Sequence, residues 1–338
     1  MPPHFSKLAG LTLGIYELRE LVAAEADMIA TYKGYQPALK RHVAVQVLNP
    51  AFSEKFGQGF LRAAEIIAEL EHTNIVPIHD YAVQGHFAYI VTRLLEGGSL
   101  RQRVEAGPLP MAEVAAIVRQ IGGALDYVHS RGMAHGDPSI ANIAFDRWGS
   151  AYIADFHVAG FQEQVGSEMV ATLAYTAPEK WNDPRPTPAT DQYALGCIAY
   201  HMLTGHAPFQ NVLVEMIFNP AYNGPPPPQT HRPEIPQAVN AVFQRVLAKD
   251  PTTRFTTVMD FARAFEKALQ AAPQHLFISY SRRDKDYALQ LVDHLTGSGF
   301  KVWIDEQIDY GDAWFNEIDT AIKSSAAFVL LMSPEARA

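Results

Sequence analysis

Residues 127–142 read YVHSRGMAHGDPSIAN, and inside them runs the pattern H-x-D-x-x-x-x-N, from His135 to Asn142. Gly132, Gly136 and Pro138 mark the segment as loop, so a carboxylate (Asp137) and an amide (Asn142) stand on a turn-rich connection where a scaffold can present them. Upstream, between Gly14 and about Leu95, short alternating runs dominate: IYELREL, HVAVQVL and FAYIVTRLL. They predict a small sheet, broken by one helical segment, FLRAAEIIAELEH, whose apolar residues recur at helical spacing. Downstream, from EGGSLRQRV to Leu269, helical patterns take over. A loop-rich middle (132–186) and the proline run Pro225–Pro228, read as a loop, interrupt them. After a QAAPQ linker (270–274) the pattern changes to strand, helix, strand, helix, strand, the order of a parallel α/β sheet.

The bulk composition narrows the function classes. With 338 residues, 48% of them hydrophobic, the chain can bury the cores of two domains. The net charge of −9, with 27 Lys+Arg against 36 Asp+Glu and no basic run, argues against nucleic acid or anionic lipid as partner. Cys197 is the single cysteine and the 13 histidines show no metal-ligand spacing with it, which fits a reducing, cytoplasmic setting. The N-terminus MPPHFSKLAG lacks a charged n-region and an apolar h-region, and no apolar run of roughly 18 residues occurs, so no membrane segment is expected.

Taken in order, these parts resemble the bacterial serine/threonine protein kinases of eukaryotic type. LEHTNIVPIHDY, LLEGGSL, YVHSRGMAHGD, YIADF, AYTAPEKW, DQYALGCIAYHMLTGHAPF and LAKDPTTRF follow one another as in that family. The resemblance implies an α+β two-lobed fold over 14–269, with a β-rich lobe at 14–95 and a helical lobe at 96–269. It also implies ATP and Mg²⁺ as ligands, weakly held, with Asp137 at the position of the catalytic base and Asn142 and Asp155 at the magnesium positions. The nucleotide pocket would be drawn from Ala24, Ala26, Ile29, Ala44, Gln46, Thr92 and Leu94.

Several of those positions depart from the family. In ELVAAEADMIATYKGY (Glu20–Tyr35) the three places of the glycine loop hold Ala24, Ala26 and Ile29, although glycines are what let backbone N–H groups approach phosphates. Gln46 stands where the phosphate-gripping lysine belongs, and Ala63 where its glutamate partner belongs, so both ends of that ion pair are gone together. Gly136 replaces the arginine that would pair with a phosphorylated activation loop, and Ser139 the lysine that steadies the transferring phosphoryl. His157 replaces the glycine of the D-F-G triplet and should restrict Phe156. One lost donor typically costs about 10²–10³ in rate, so activity lower by roughly 10⁴ or more is expected. The architecture is kept: His135, Phe156 and Ile67 fall on the family's regulatory spine, Asp191 where the catalytic loop is braced, and Glu179 and Arg254 at the buried ion pair. Ser167 and Thr172 read as ordinary loop polarity rather than phosphosites, Lys33, which shares strand parity with Thr31, as a solvated strand residue rather than a replacement for the missing lysine, and Tyr193, Tyr200 and the region of Trp181 as packing.

Residues 275–338, beginning HLFISYSRRDKDYALQLVDHL and continuing through KVWIDEQID to AAFVLLMS, resemble the first half of a Toll/interleukin-1 receptor (TIR) domain of flavodoxin-like type. Such domains self-associate or cleave NAD with a glutamate on the helix after the third strand. That glutamate would lie about ten residues past Ala338, so the chain reads as a piece of a longer protein with no TIR catalytic residue of its own. Three functions stay open. The first is a signalling protein in which a pseudokinase regulates or scaffolds the TIR module through protein partners and TIR–TIR association. The second is a divergent Ser/Thr kinase, and the third, for the parent protein, is NAD hydrolysis.

Overall fold

The computed structural model describes residues 7–25, 29–49, 58–154, 174–209, 224–271, 275–304 and 322–331, save 60, 63, 323 and 324. Two compact units divide the chain: 1–232 with 242–265, and 233–241 with 266–338.

The first unit opens with a six-stranded antiparallel sheet. Its strands are β1 (Thr12–Leu13), β2 (Tyr16–Glu25), β3 (Ile29–Gln36), β4 (Arg41–Leu48), β5 (Ile78–Gln84) and β6 (Phe87–Arg93), in the spatial order β1-β2-β3-β4-β6-β5. Alternation decides the faces. Ala30 and Tyr32 of β3 and Val43, Val45 and Val47 of β4 point to one side and close a core with Leu13, Leu18, Tyr89 and Val91. The other face carries Leu48, Ala88 and Ile90, packed against Ala64 and Leu61 of the helical segment. That helix ends at residue 68, before the predicted His72.

β2 breaks the period of two. Its pairing with β3 shifts register between Leu18 and Glu20 and again between Leu21 and Ala23, so Arg19 and Val22 are bulged. As a result Leu18, Leu21 and Ala24 oppose Gly34, Tyr32 and Ala30.

The helical lobe is built from α1 (Leu100–Glu105), α2 (Met111–Ser130), α3 (Pro188–Thr204), α4 (Ala238–Val246) and α5 (Val258–Leu269). α2 buries Val114, Ile117, Val118, Ile121, Leu125 and Val128, a stripe at helical spacing. α3 is buried nearly all round, starts with a Thr187 capping box and ends at Gly205 in the left-handed conformation. The sequence predicts loop for 132–186, yet Ile143–Phe145 (β7) and Ala151–Ile153 (β8) pair as a hairpin. Three-residue strands are too short to show a periodicity. This hairpin joins the lobes in part, with Val76 N–H donating to Ile153 O at 3.0 Å and Ile153 N–H to Asn74 O at 2.9 Å, and within the helical lobe it accepts from Gly97, whose N–H donates to Phe145 O at 2.8 Å. Gly97 is required there, because a Cβ would overlap the carbonyls of Phe145 and Asp146. Tyr193 and Tyr200 are buried as expected, whereas Trp181 is 38% exposed. It sits on the 3₁₀ turn Pro178–Trp181, two residues after Glu179, whose carboxylate turns inward.

In the second unit β9 (His275–Ser279) lies between β10 (Val302–Trp303) and β11 (Ser325–Leu330), all parallel, with α6 (Lys285–Gly297) following β9. Phe277 stacks on Trp303 at 4.7 Å and on Phe328 at 5.2 Å between ring centroids. The second predicted strand, 301–305, is only two residues long among those described, and most of the helix predicted over 313–325 lies outside the described residues. No described helix is long and apolar enough to cross a membrane, and no described group of three His, Cys, Asp or Glu could hold a metal ion.

Candidate active-site cleft

Sheet register places the residues expected to line a nucleotide pocket. Thr31 pairs with Gln46 and Gln46 with Ile90, while Lys33 pairs with Ala44 and Ala44 with Thr92. Directly paired residues share a face. Ala44 and Gln46 therefore lie on the face that meets the helical segment, as period two predicts, with no lysine on β4 beside Thr31 or Ile90. Thr92 and Leu94 continue the same edge, half-buried. Ala24 pairs with Ala30 next to the turn and is exposed. Ile29 packs against the cluster of Leu48, Ala64, Ala88 and Ile90. One of the three glycine-loop positions thus holds a half-buried side chain packed on apolar residues. Ala26, Ala63, Asp155, Phe156, His157, Ser167 and Thr172 lie outside the described residues.

The loop from His135 to Asn142 is organised around Asp191, a fully buried residue of α3. Its Oδ2 accepts from His135 N–H at 2.7 Å and its Oδ1 from Gly136 N–H at 2.9 Å. His135, itself buried, lies 2.9 Å through Nε2 from Ala154 O, which ties the loop to the segment after β8. Gly136 has φ 96°, a region where only glycine is comfortable, so the side chain missing here could not be restored without strain. Asn142 Nδ2 donates to Asp137 O and Asn142 Oδ1 accepts from the Ser139 hydroxyl, both at 3.2 Å. Burial pushes the Asp137 carboxyl up to about 6, with the Lys180 ammonium pulling the other way and the Asp191 charge adding to the rise.

Two partners of this loop escape a sequence reading. His129 Nε2 lies 2.8 Å from Asp191 Oδ2 and Nδ1 3.8 Å from Asp126 Oδ1. Burial alone would push this imidazole down, but the hydrogen bonds and charges of Asp126 and Asp191 outweigh it and hold the group up at about 9. Lys180 Nζ donates to Gly136 O at 2.6 Å from a residue 44 positions away. Its only sequence signal is its place immediately after Glu179 in PEKW. Glu179 in turn forms a bidentate pair with Arg254, at 2.6 and 2.8 Å, as its match to the family pattern implies.

The raised value of His129 yields a pH prediction. Its contribution to stability is present in full below about 6.5 and is lost as pH rises through about 9, on the order of 2–3 kcal/mol in total. Chemical denaturation at pH 6 and pH 9.5 should show that loss, and His129→Gln should flatten it. An equal fall in the Gln variant would assign the effect elsewhere.

Comparison with known proteins agrees with this geometry. The protein kinase domain model matches residues 28–271 and the TIR domain model residues 276–338. The serine/threonine-protein kinase PknE of Mycobacterium tuberculosis strain H37Rv is 34% identical over 284 residues, covering 82% of this chain and 50% of its own length. PknD of the same strain is 33% identical over 298 residues, covering 85% and 45%. The chain spans about half the length of these curated relatives. A crystal structure of the M. tuberculosis PknI kinase domain, in a point-mutant form, superposes with a TM-score of 0.61 at 29% identity, covering 77% of this chain and 98% of that one. The chain belongs to the protein kinase family, with a bacterial Ser/Thr-kinase-like domain followed by a TIR domain.

Proposed function

We propose that this is a signalling protein in which a catalytically silent kinase-like domain, over 14–269, regulates or scaffolds the TIR module that begins at 275. The observation that carries the reading is the row Thr31–Gln46–Ile90. It puts an uncharged amide at the strand position where a kinase needs a cation on the nucleotide phosphates, and phosphoryl transfer depends mainly on such electrostatic positioning. Asn142 and Asp155 would be the residues to hold magnesium; the Asn142 Oδ1 accepts from the Ser139 hydroxyl at 3.2 Å, which leaves a second lone pair for a cation. The amide of Asn142 is engaged in holding the loop together, which is reason enough for its presence, while Asp137 enters that network through its main-chain N–H and carbonyl. Partners on this reading are other proteins, met through the kinase-like surface and through TIR–TIR association, in the cytoplasm.

With radiolabelled ATP, magnesium and a generic protein acceptor, transfer is expected to run at least roughly 10⁴-fold below an active kinase of this family. Transfer at an ordinary kinase rate that Asp155→Ala abolishes would establish the divergent-kinase reading instead.

A further inference from the structure

Gly136 has no side chain, yet both of its main-chain polar groups are held by charged side chains from distant elements. Its N–H donates to Asp191 Oδ1 of α3 at 2.9 Å, and its carbonyl accepts from Lys180 Nζ at 2.6 Å. The second bond fixes the plane of the peptide that joins Gly136 to Asp137, the plane from which the Asp137 side chain departs. A charge-assisted hydrogen bond of this length is roughly twice as strong as a neutral one. Lys180 is also pre-organised, since its neighbour Glu179 is pinned through both carboxylate oxygens to Arg254. Its ammonium charge reaches Asp137 as well.

We infer that Lys180 is the positioning residue of this catalytic loop: it fixes the Gly136–Asp137 peptide and supplies from inside the fold the positive charge that positions 136 and 139 do not carry. Asp191 and Lys180, 55 and 44 residues away in sequence, thus act on the two sides of one glycine. The loop's conformation is then constitutive. A signal passing to the TIR module need not order this loop, and no added phosphate is required to complete it. The inference holds whether or not the domain transfers phosphate, so its test is separate from the radiolabel assay.

The test is amide hydrogen exchange on the whole chain, comparing wild type, Lys180→Met and Lys180→Arg. In Lys180→Met, exchange across 135–142 should quicken at least tenfold while residues 188–204 stay within twofold of wild type. Lys180→Arg, which keeps a charged donor, should restore protection. If Lys180→Met does not accumulate as folded protein, the same comparison is made with Lys180→Gln. Unchanged exchange in the loop would overturn the proposal, and so would a loss of protection shared equally by α3, which would make Lys180 a general packing residue. Failure of arginine to rescue would also overturn it.

Discussion

Asp191→Ala is expected to lower the stability of the first unit by about 3–5 kcal/mol, the range for removing one partner from a buried charged network. One fully buried carboxylate accepts from two main-chain N–H groups, of His135 and Gly136, and contacts the His129 ring. Alanine leaves both donors buried without an acceptor and leaves a protonated imidazole with only Asp126, 3.8 Å away. In a domain of this size the loss corresponds to a fall in Tm of roughly 10 °C. Asp191→Asn keeps one acceptor oxygen and should lose about half as much. Thermal unfolding followed by circular dichroism reads both variants. A Tm within about two degrees of wild type for the alanine variant would mean that solvent or a rearranged loop satisfies those donors, which contradicts the burial of Asp191.

Arg254→Met is expected to cost about as much, roughly 3–5 kcal/mol, for a different reason. The guanidinium is a junction: two bonds to Glu179, one from Nε to Ala248 O at 2.9 Å and one to Ala189 O at 3.0 Å, with Tyr193 4.8 Å beneath it. Methionine fills much of the volume but leaves the Glu179 carboxylate, 24% exposed, without its cation. Adding Glu179→Leu should recover part of the loss, because a buried ion pair replaced on both sides by apolar groups is often neutral. The part that stays lost, about 1–3 kcal/mol, belongs to the two carbonyls that only an arginine fork reaches. Arg254→Lys should rescue poorly, since a single ammonium cannot serve the carboxylate and two carbonyls in fixed directions. Urea denaturation of the two single variants and the double variant measures this. Additive losses in the double variant would show that the two side chains are not coupled.

How much of this was legible in advance follows from where the information sits along the chain. The fold was legible because its motifs are local strings whose order alone specifies a two-lobed architecture, and the Glu179–Arg254 pair because each end sits in such a string. Gln46 was legible because strand parity is simple: two residues from Ala44 means the same face. Lys180 was not, because its partner is a main-chain carbonyl, and carbonyls leave no mark in a sequence. His129 was not, because its two carboxylates come one from its own helix and one from α3, a meeting that only the packing of α2 on α3 creates. The packing of Ile29 on Leu48, Ala64, Ala88 and Ile90 was not legible, because the alignment of a loop says nothing about where the side chain that takes a glycine's place will pack. The β7–β8 hairpin was missed because its three-residue strands are held by the opposite lobe as much as by one another.

The two bulges of β2 give the glycine-poor hairpin a property that its alanines alone would not. An ordinary two-stranded ribbon can slide, because every second residue is equivalent and a shift of two restores the faces. Here the β2 residues that oppose Gly34, Tyr32 and Ala30 recur every third position while those of β3 recur every second, so the two strands are cut to different gauges. A slip of two along β3 has to be matched by a slip of three along β2, with both bulges re-formed one repeat further on, so sliding carries a cost here that a regular ribbon does not have.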